Sequence, residues 1–372
     1  MLLAIKSLGL GGAERLVADL VAAGGSASFD YEVASVLEGQ DALAPSIVRA
    51  GIPVHELGAT GNLDLRWMAA LRRLLLADPF DIVHFHLPYT AALGRLVVAT
   101  LPRRRRPITV YTEHSLWNKV AVLVKLLNRA TVRFDGALVA VSQAAYDALP
   151  RALRPRARVV VHGVDLSRSR SMVDRRHQVG QEVRDELGIP PTDLLVVTVA
   201  NLRSEKGYDV LLDAAGLLVE RGAPLRFAAA GQGVEAEALA ARHRQLGLGD
   251  RFHFLGHRDD ALALVTAADL FVLPSHQEGL PVVLMEAGSV GAPIVATAVG
   301  GVPQVVTDGV NGLVVAPGDP VRLADAVERM SSDPELRGRL GRQAMADSTR
   351  YDIARASAEI EDIYRGLLTA RD

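Results

Sequence analysis

Cysteine is absent from the 372 residues. That excludes disulfides, thiolate nucleophiles and Cys-ligated metals, and it is compatible with a reducing cytosol. No uninterrupted apolar run approaches ~20 residues, so no spanning helix is expected. The first residues, MLLAIKSL, are too short and too soon followed by glycines for a signal peptide. Neither charge is in excess: Lys and Arg number 41 against 43 Asp and Glu, so nothing calls for a nucleic-acid partner. Asp-x-Asp and His-Glu-x-x-His are both missing, which argues against a dedicated metal site. Gly-x-Gly-x-x-Gly, Gly-x-Ser-x-Gly and Walker patterns are missing too. A cytoplasmic protein with no metal and no cofactor is the expectation.

What is present is apolar sequence in short runs. The chain is 49% hydrophobic and 23% charged, enough for two or more cores. Leu2–Leu8, Tyr31–Leu37, Val54–Leu57, Ile82–Leu87, Ile108–Thr112, Ala137–Val141 and Val159–Val161 read as strands alternating with helical patterns. A second series follows: Leu194–Ala200, Leu225–Ala230, Phe252–Leu255, Leu270–Leu273, Ile294–Ala296 and Leu313–Val315. Two doubly wound α/β blocks are expected, over 1–165 and 192–350. Residues 166–191, polar and irregular at their start, read as a linker with a helix near Gln178–Leu187. The tail, 351–372, contains an amphipathic helix long enough to pack back on the first block.

The stretch Pro274–Thr297 carries the densest chemistry. Pro281 suits a first helical position, since its fixed φ and missing N–H cost nothing there. Glu278 then lies before the helix and Glu286 in its second turn, at the carboxyl end of a strand, where open α/β sheets bind ligands. Helix N-termini favour phosphate. Arg203 and Lys206 follow the first strand of the same block and could meet a diphosphate, or be solvated cations. Gly231, Gly233, Gly300 and Gly301 add glycine turns on that edge. In the first block, Gly11 and Gly12 form a βα turn in which a missing Cβ would let backbone approach a ligand. His84 and His86 alternate on one strand face and read as hydrogen-bonding groups more than metal ligands. His114 ends a strand and is either a structural histidine or a contact to substrate. Leu116–Phe134 is basic and amphipathic, with Lys119, Lys125, Arg129 and Arg133 in one arc. It is either a core helix with a solvated edge or a surface helix for anionic membrane.

Glu278-Gly279-Leu280-Pro281 with Glu286-Ala287, Glu113-His114, Lys206-Gly207, Gly11-Gly12-Ala13-Glu14 and Gly163-Val164-Asp165 together resemble the E-x7-E signature of retaining glycosyltransferase family four. The resemblance spans nearly the whole chain. It implies a GT-B fold, two Rossmann-like domains facing across a cleft. It implies a metal-independent, retaining hexosyltransferase that uses a UDP- or GDP-linked sugar and serves polysaccharide or glycolipid synthesis. The acceptor would be a hydroxyl on a glycan, a lipid-linked molecule or a small molecule, with peripheral membrane contact. Carried over by position, Glu278, His114 and Lys206 would be catalytic. Glu278 would hold the donor sugar's hydroxyls, and Gly279, Leu280 and Val282 would offer backbone groups. Glu286 would hold the ribose, and Arg203 and Lys206 the diphosphate. Backbone at His257 and Arg258 would meet the base, and Gly11 and Gly12 the phosphate or acceptor. The family often has Gly-Arg where Ala200-Asn201 stand, and Asn where His162 stands. Two other readings stay open: a GT-B nucleotide-sugar epimerase, and a non-catalytic nucleotide-sugar-binding protein.

Overall fold

Every ladder between named strands is parallel. Parallel strands need helical crossovers that cover both sheet faces, which is why the strands are short continuous apolar runs. The computed structural model describes residues 1–9, 11–23, 29–114 and 121–371. It divides into two units, Met1–Gly163 with Asp352–Asp372, and Val164–Tyr351.

The first unit holds β1 (Leu2–Ile5), β2 (Glu32–Leu37), β3 (Val54–Ala59), β4 (Ile82–His86), β5 (Ile108–Glu113), β6 (Ala137–Ala140) and β7 (Ala157–Val159), in the order β3-β2-β1-β4-β5-β6-β7. The chain winds outward from β1 to β3, then restarts at β4 on the other side. The switch point lies between β1 and β4. β1 is shorter than expected because Leu8 turns its N–H to the Gln40 carbonyl instead of a strand. The helix Ile353–Thr369 belongs to this unit and sends Ile353, Ala356, Ile360, Ile363 and Tyr364 into its core.

The second unit holds β8 (Leu194–Val199), β9 (Leu225–Ala230), β10 (Phe252–Gly256), β11 (Leu270–Leu273), β12 (Ile294–Thr297) and β13 (Leu313–Val315), in the order β10-β9-β8-β11-β12-β13. Its switch point lies between β8 and β11.

The expected linker, 166–191, is instead part of the second unit. It forms the helices Leu166–Asp174 and Arg176–Leu187. Asp165 caps the first, accepting from the N–H groups of Ser167 and Arg168. Val179 and Val183 of the second are buried. Their sparse apolar residues sit at helical spacing, and that is enough to dock two otherwise polar helices.

Candidate functional site

Two loops leave neighbouring strands at the switch point of the second sheet. One follows β8 and carries Arg203 and Lys206. The other follows β11 and carries Ser275 and Glu278. Backbone bonds pin them together, with the N–H groups of His276 and Gln277 both donating to the Glu205 carbonyl. Gly207 has φ +66°, and a Cβ there would strike the Pro274 carbonyl. Gly300 has φ +50°, and a Cβ there would strike the Glu278 carbonyl. These glycines serve loop-on-loop contact, so the backbone around Glu278 is clamped from two sides.

The Glu278 side chain is only 7% exposed. Lys206 Nζ donates to Oε1 at 2.8 Å and Oε2 at 2.9 Å, and Ser275 Oγ donates to Oε1 at 2.7 Å. A carboxylate this buried requires such partners. The arrangement still has capacity. An ammonium has three N–H donors and Glu278 uses two, while Oε2 accepts from Lys206 Nζ and keeps a lone pair for a further donor.

The helix after this loop is Val282–Ser289, one residue later than expected. Pro281 is its N-cap, because a ψ of 86° takes it out of the helical region. That angle makes an inverse γ-turn, and the Val282 N–H donates to the Leu280 carbonyl at 3.0 Å. Val282 is therefore engaged within its own loop, contrary to its expected role as an open donor. Glu286 is half-buried in the helix. Arg203 points outward, 60% exposed, with Glu205 of its own loop at 3.9 Å. His257 and Arg258 follow β10 on the same edge. The Arg258 guanidinium is held by Asp260 and Glu186, which raise its affinity for its proton. His257 pairs with Asp259 at 3.0 Å. Their side chains are thus committed to neighbours, and the loop's backbone is what remains.

In the first unit, Gly12 opens the helix Gly12–Ala23 with nothing near its missing Cβ. Gly11 differs, because the space beside it is filled by the Glu14 carboxylate, which also accepts from Ser7 Oγ. At the other side of this switch point, Leu87 adopts φ 71°, alone among the described non-glycine residues. Strain of this kind costs about 1–3 kcal/mol and collects at functional sites.

Beside Leu87, four imidazoles form a column. His84 and His86 stack at 4.2 Å, His86 and His114 lie 5.2 Å apart, and His114 stacks on His162 at 5.8 Å. Burial holds His84, His86 and His114 well below the ordinary imidazole value, and neighbouring imidazoles add to it. Burial alone pushes His162 down to about 4. All four are neutral at pH 7. His84 stacks on His86 and His114 on His162, while His86 and His114 are tilted by 43° and meet through ring nitrogens 2.9 Å apart. Among the described residues no group of three or more His, Asp or Glu is placed to hold a metal ion.

Ser275 escaped the sequence reading, although it sits three positions before Glu278 in the same motif. Tyr364, which meets His84, carried no local signal at all. His162 did: it stands where the family pattern has Asn.

Two doubly wound Rossmann-like units, each with polar groups gathered at its switch point, define the GT-B architecture. The comparisons agree. The model of the group 1 glycosyl transferases matches residues 179–347, and that of glycosyltransferase family 4 matches 10–168. D-inositol 3-phosphate glycosyltransferase of Corynebacterium aurimucosum is 31% identical over 311 residues, covering 80% of this chain and 69% of the relative. Alpha-D-kanosaminyltransferase of Streptomyces kanamyceticus is 28% identical over 324 residues, 83% of each. Anabaena HepE, solved with UDP and glucose, superposes with a TM-score of 0.85 at 22% identity, over 98% of this chain and 99% of that one. Sucrose-phosphate synthase of Thermosynechococcus elongatus gives 0.82 at 20% identity, over 99% of each. The chain belongs to the group 1, family four glycosyltransferases.

Proposed function

We propose that this glycosyltransferase moves a hexose from a nucleoside-diphosphate sugar to a hydroxyl acceptor with retention and without a metal. The observation that carries the reading is the buried Glu278–Lys206–Ser275 cluster at the switch point of the second sheet. Lys206 keeps a third N–H for a diphosphate oxygen, and Glu278 Oε2 can accept from a sugar hydroxyl. The N-terminus of the helix Val282–Ser289 adds positive potential where the leaving group gathers charge. Gly279 and Leu280 lie between these groups. Glu286 is assigned to the ribose, Arg203 to outer phosphate charge, the 257–258 backbone to the base, Gly12 to close approach, and His114 to a sugar hydroxyl.

In the step itself, the bond from the anomeric carbon to the phosphate oxygen breaks and its electron pair leaves with the nucleoside diphosphate. The acceptor oxygen bonds to the same face of the anomeric carbon, and its proton passes to the departing phosphate oxygen. Glu278 and Glu286 are not read as a hydrolase pair, because one lies in a loop and the other in the helix beyond it.

The first donor to test is UDP-glucose, since HepE of the same fold was captured with it; GDP-linked sugars form the second arm. The D-inositol 3-phosphate glycosyltransferase relative favours a small phosphorylated polyol as acceptor over a polymer, with a lipid-linked acceptor as the alternative. For a lipid-linked acceptor the supporting feature is the helix Val122–Thr131, which exposes Val122, Leu123 and Leu126 beside Lys125 and Arg129, a surface suited to anionic membrane. The expected results are a thermal shift with one nucleoside diphosphate, a product that appears only with acceptor, and weaker nucleotide binding in Glu286→Ala. In Glu278→Ala turnover should fall more than affinity. Unchanged nucleotide affinity in Glu286→Ala would remove the ribose role. A product formed from donor alone would turn the reading to epimerisation.

A further inference from the structure

His86 and His114 share one hydrogen. His86 Nδ1 lies 2.9 Å from His114 Nε2, so one nitrogen donates and the other offers its lone pair. Both rings are neutral, and each therefore carries one N–H. Two arrangements satisfy this. If His86 donates from Nδ1, His114 must carry its hydrogen on Nδ1. If His114 donates from Nε2, its Nδ1 is a lone pair and the His86 hydrogen sits on Nε2. Either way, the state of His114 Nδ1 is set by His86. Among the described residues that buried nitrogen has no hydrogen-bond partner, and the same holds for His86 Nε2.

His86 is well held. Its ring stacks at 4.2 Å on His84. His84 in turn is fixed at both nitrogens, to Tyr364 Oη at 2.5 Å and Thr112 Oγ1 at 2.6 Å. A ring locked in this way holds its neighbour at one angle. Leu87, directly after His86, has φ 71°, so the backbone at this point is bent into place as well.

We infer that His86 is a positioning residue for His114, fixing the tautomer and ring angle with which His114 Nδ1 meets a substrate hydroxyl, with His84, Thr112 and Tyr364 as its support. The inference rests on the reading of His114 as a sugar contact. A packing role and a positioning role order two variants oppositely. His86→Phe keeps an aromatic ring to stack on His84, at somewhat larger volume, but removes both ring nitrogens. His86→Asn loses packing but places an amide near the Nδ1 position.

The test has two arms. In the wild-type protein labelled with 15N-histidine, a two-bond nitrogen–nitrogen coupling between His86 and His114 is expected, together with a single His114 tautomer that becomes mixed in His86→Phe. Absence of the coupling overturns the inference and needs no substrate. In the second arm, release of UDP from UDP-glucose is followed. In His86→Phe kcat should fall about 10²-fold with KM for donor within about twofold, and His86→Asn should recover most of the rate despite a lower melting temperature. A rate that tracks stability, Phe above Asn, leaves His86 as packing only. If the wild type turns over no donor while the coupling is present, the functional reading fails and the pairing stands.

Discussion

Glu278 and Lys206 sit 72 positions apart and neutralise each other at the switch point. Their exposures differ, 7% for the Glu278 side chain and 24% for that of Lys206, and this makes the pair asymmetric. Lys206→Ala leaves a buried carboxylate with Ser275 alone, which should cost about 3 kcal/mol of unfolding free energy. Glu278→Gln leaves an ammonium that can reach water, so about 1 kcal/mol is expected. Urea unfolding of both variants checks the order; equal losses would mean that the carboxylate finds another partner. At Gly207, alanine would meet both a left-handed φ and the Pro274 carbonyl. Gly207→Ala should therefore lose more than the ~1–2 kcal/mol of the backbone conformation alone. The acidic motif was readable in the sequence because its residues are adjacent. That Lys206 would close on Glu278, and that Gly207 and Gly300 would face carbonyls, was not. Those contacts join loops after different strands, and no local pattern records them.

The helix Val122–Thr131 shows the same limit at the scale of an element. Periodicity gave it an apolar face and a basic arc, and its first neighbours, 116–120, lie outside the described residues. In the structure Val122, Leu123 and Leu126 face outward and Asn128 and Thr131 face inward. The reason is Arg95, buried on the helix Pro88–Ala99. It pairs with Asp135 at 2.6 Å, donates to Asn128 Oδ1 at 2.6 Å and Thr131 Oγ1 at 3.0 Å, and lies over the Tyr111 ring. A buried guanidinium demands acceptors, and this requirement outweighs apolar burial in orienting the helix. Asn128→Leu should thus destabilise the first unit by about 2–3 kcal/mol although it adds apolar surface, as measured by chemical unfolding. The outward apolar side chains predict flotation with anionic liposomes, abolished by Leu123→Asp with Leu126→Asp. Flotation indifferent to lipid charge or to these changes would leave the face without a membrane role. The strands, by contrast, were mostly legible to within a residue or two, since a strand covered on both faces is a continuous apolar run whatever lies far away in sequence; β1 ends three residues short of Leu8, and β7 lies at Ala157–Val159 instead of Val159–Val161.

For the whole molecule, sensitivity to acid should be unevenly distributed. His162 titrates near 4 when folded and near 6.5 when unfolded. Between those values the unfolded chain binds the extra proton, so stability is full above about pH 6.5 and falls as the pH drops toward 4. His162 alone accounts for about 3 kcal/mol of that loss, and His84, His86 and His114 act in the same direction. The second unit has no comparable buried imidazole among the described residues. Hydrogen exchange at pH 4.5 against pH 7, corrected for intrinsic rates, should show β4 and β5 losing protection while β8 and β11 keep it. Uniform loss in both units would contradict this. Tyr364, the hydroxyl that holds His84 from 280 positions away, has a further consequence for biosynthesis. The helix that carries it is translated only after the whole of Val164–Tyr351. On the ribosome the second unit can therefore finish folding while the first, begun earlier, still lacks one wall of its core. A chain truncated after Tyr351 and released would carry a complete second unit and a first unit without that wall, and limited proteolysis should cut the first unit sooner.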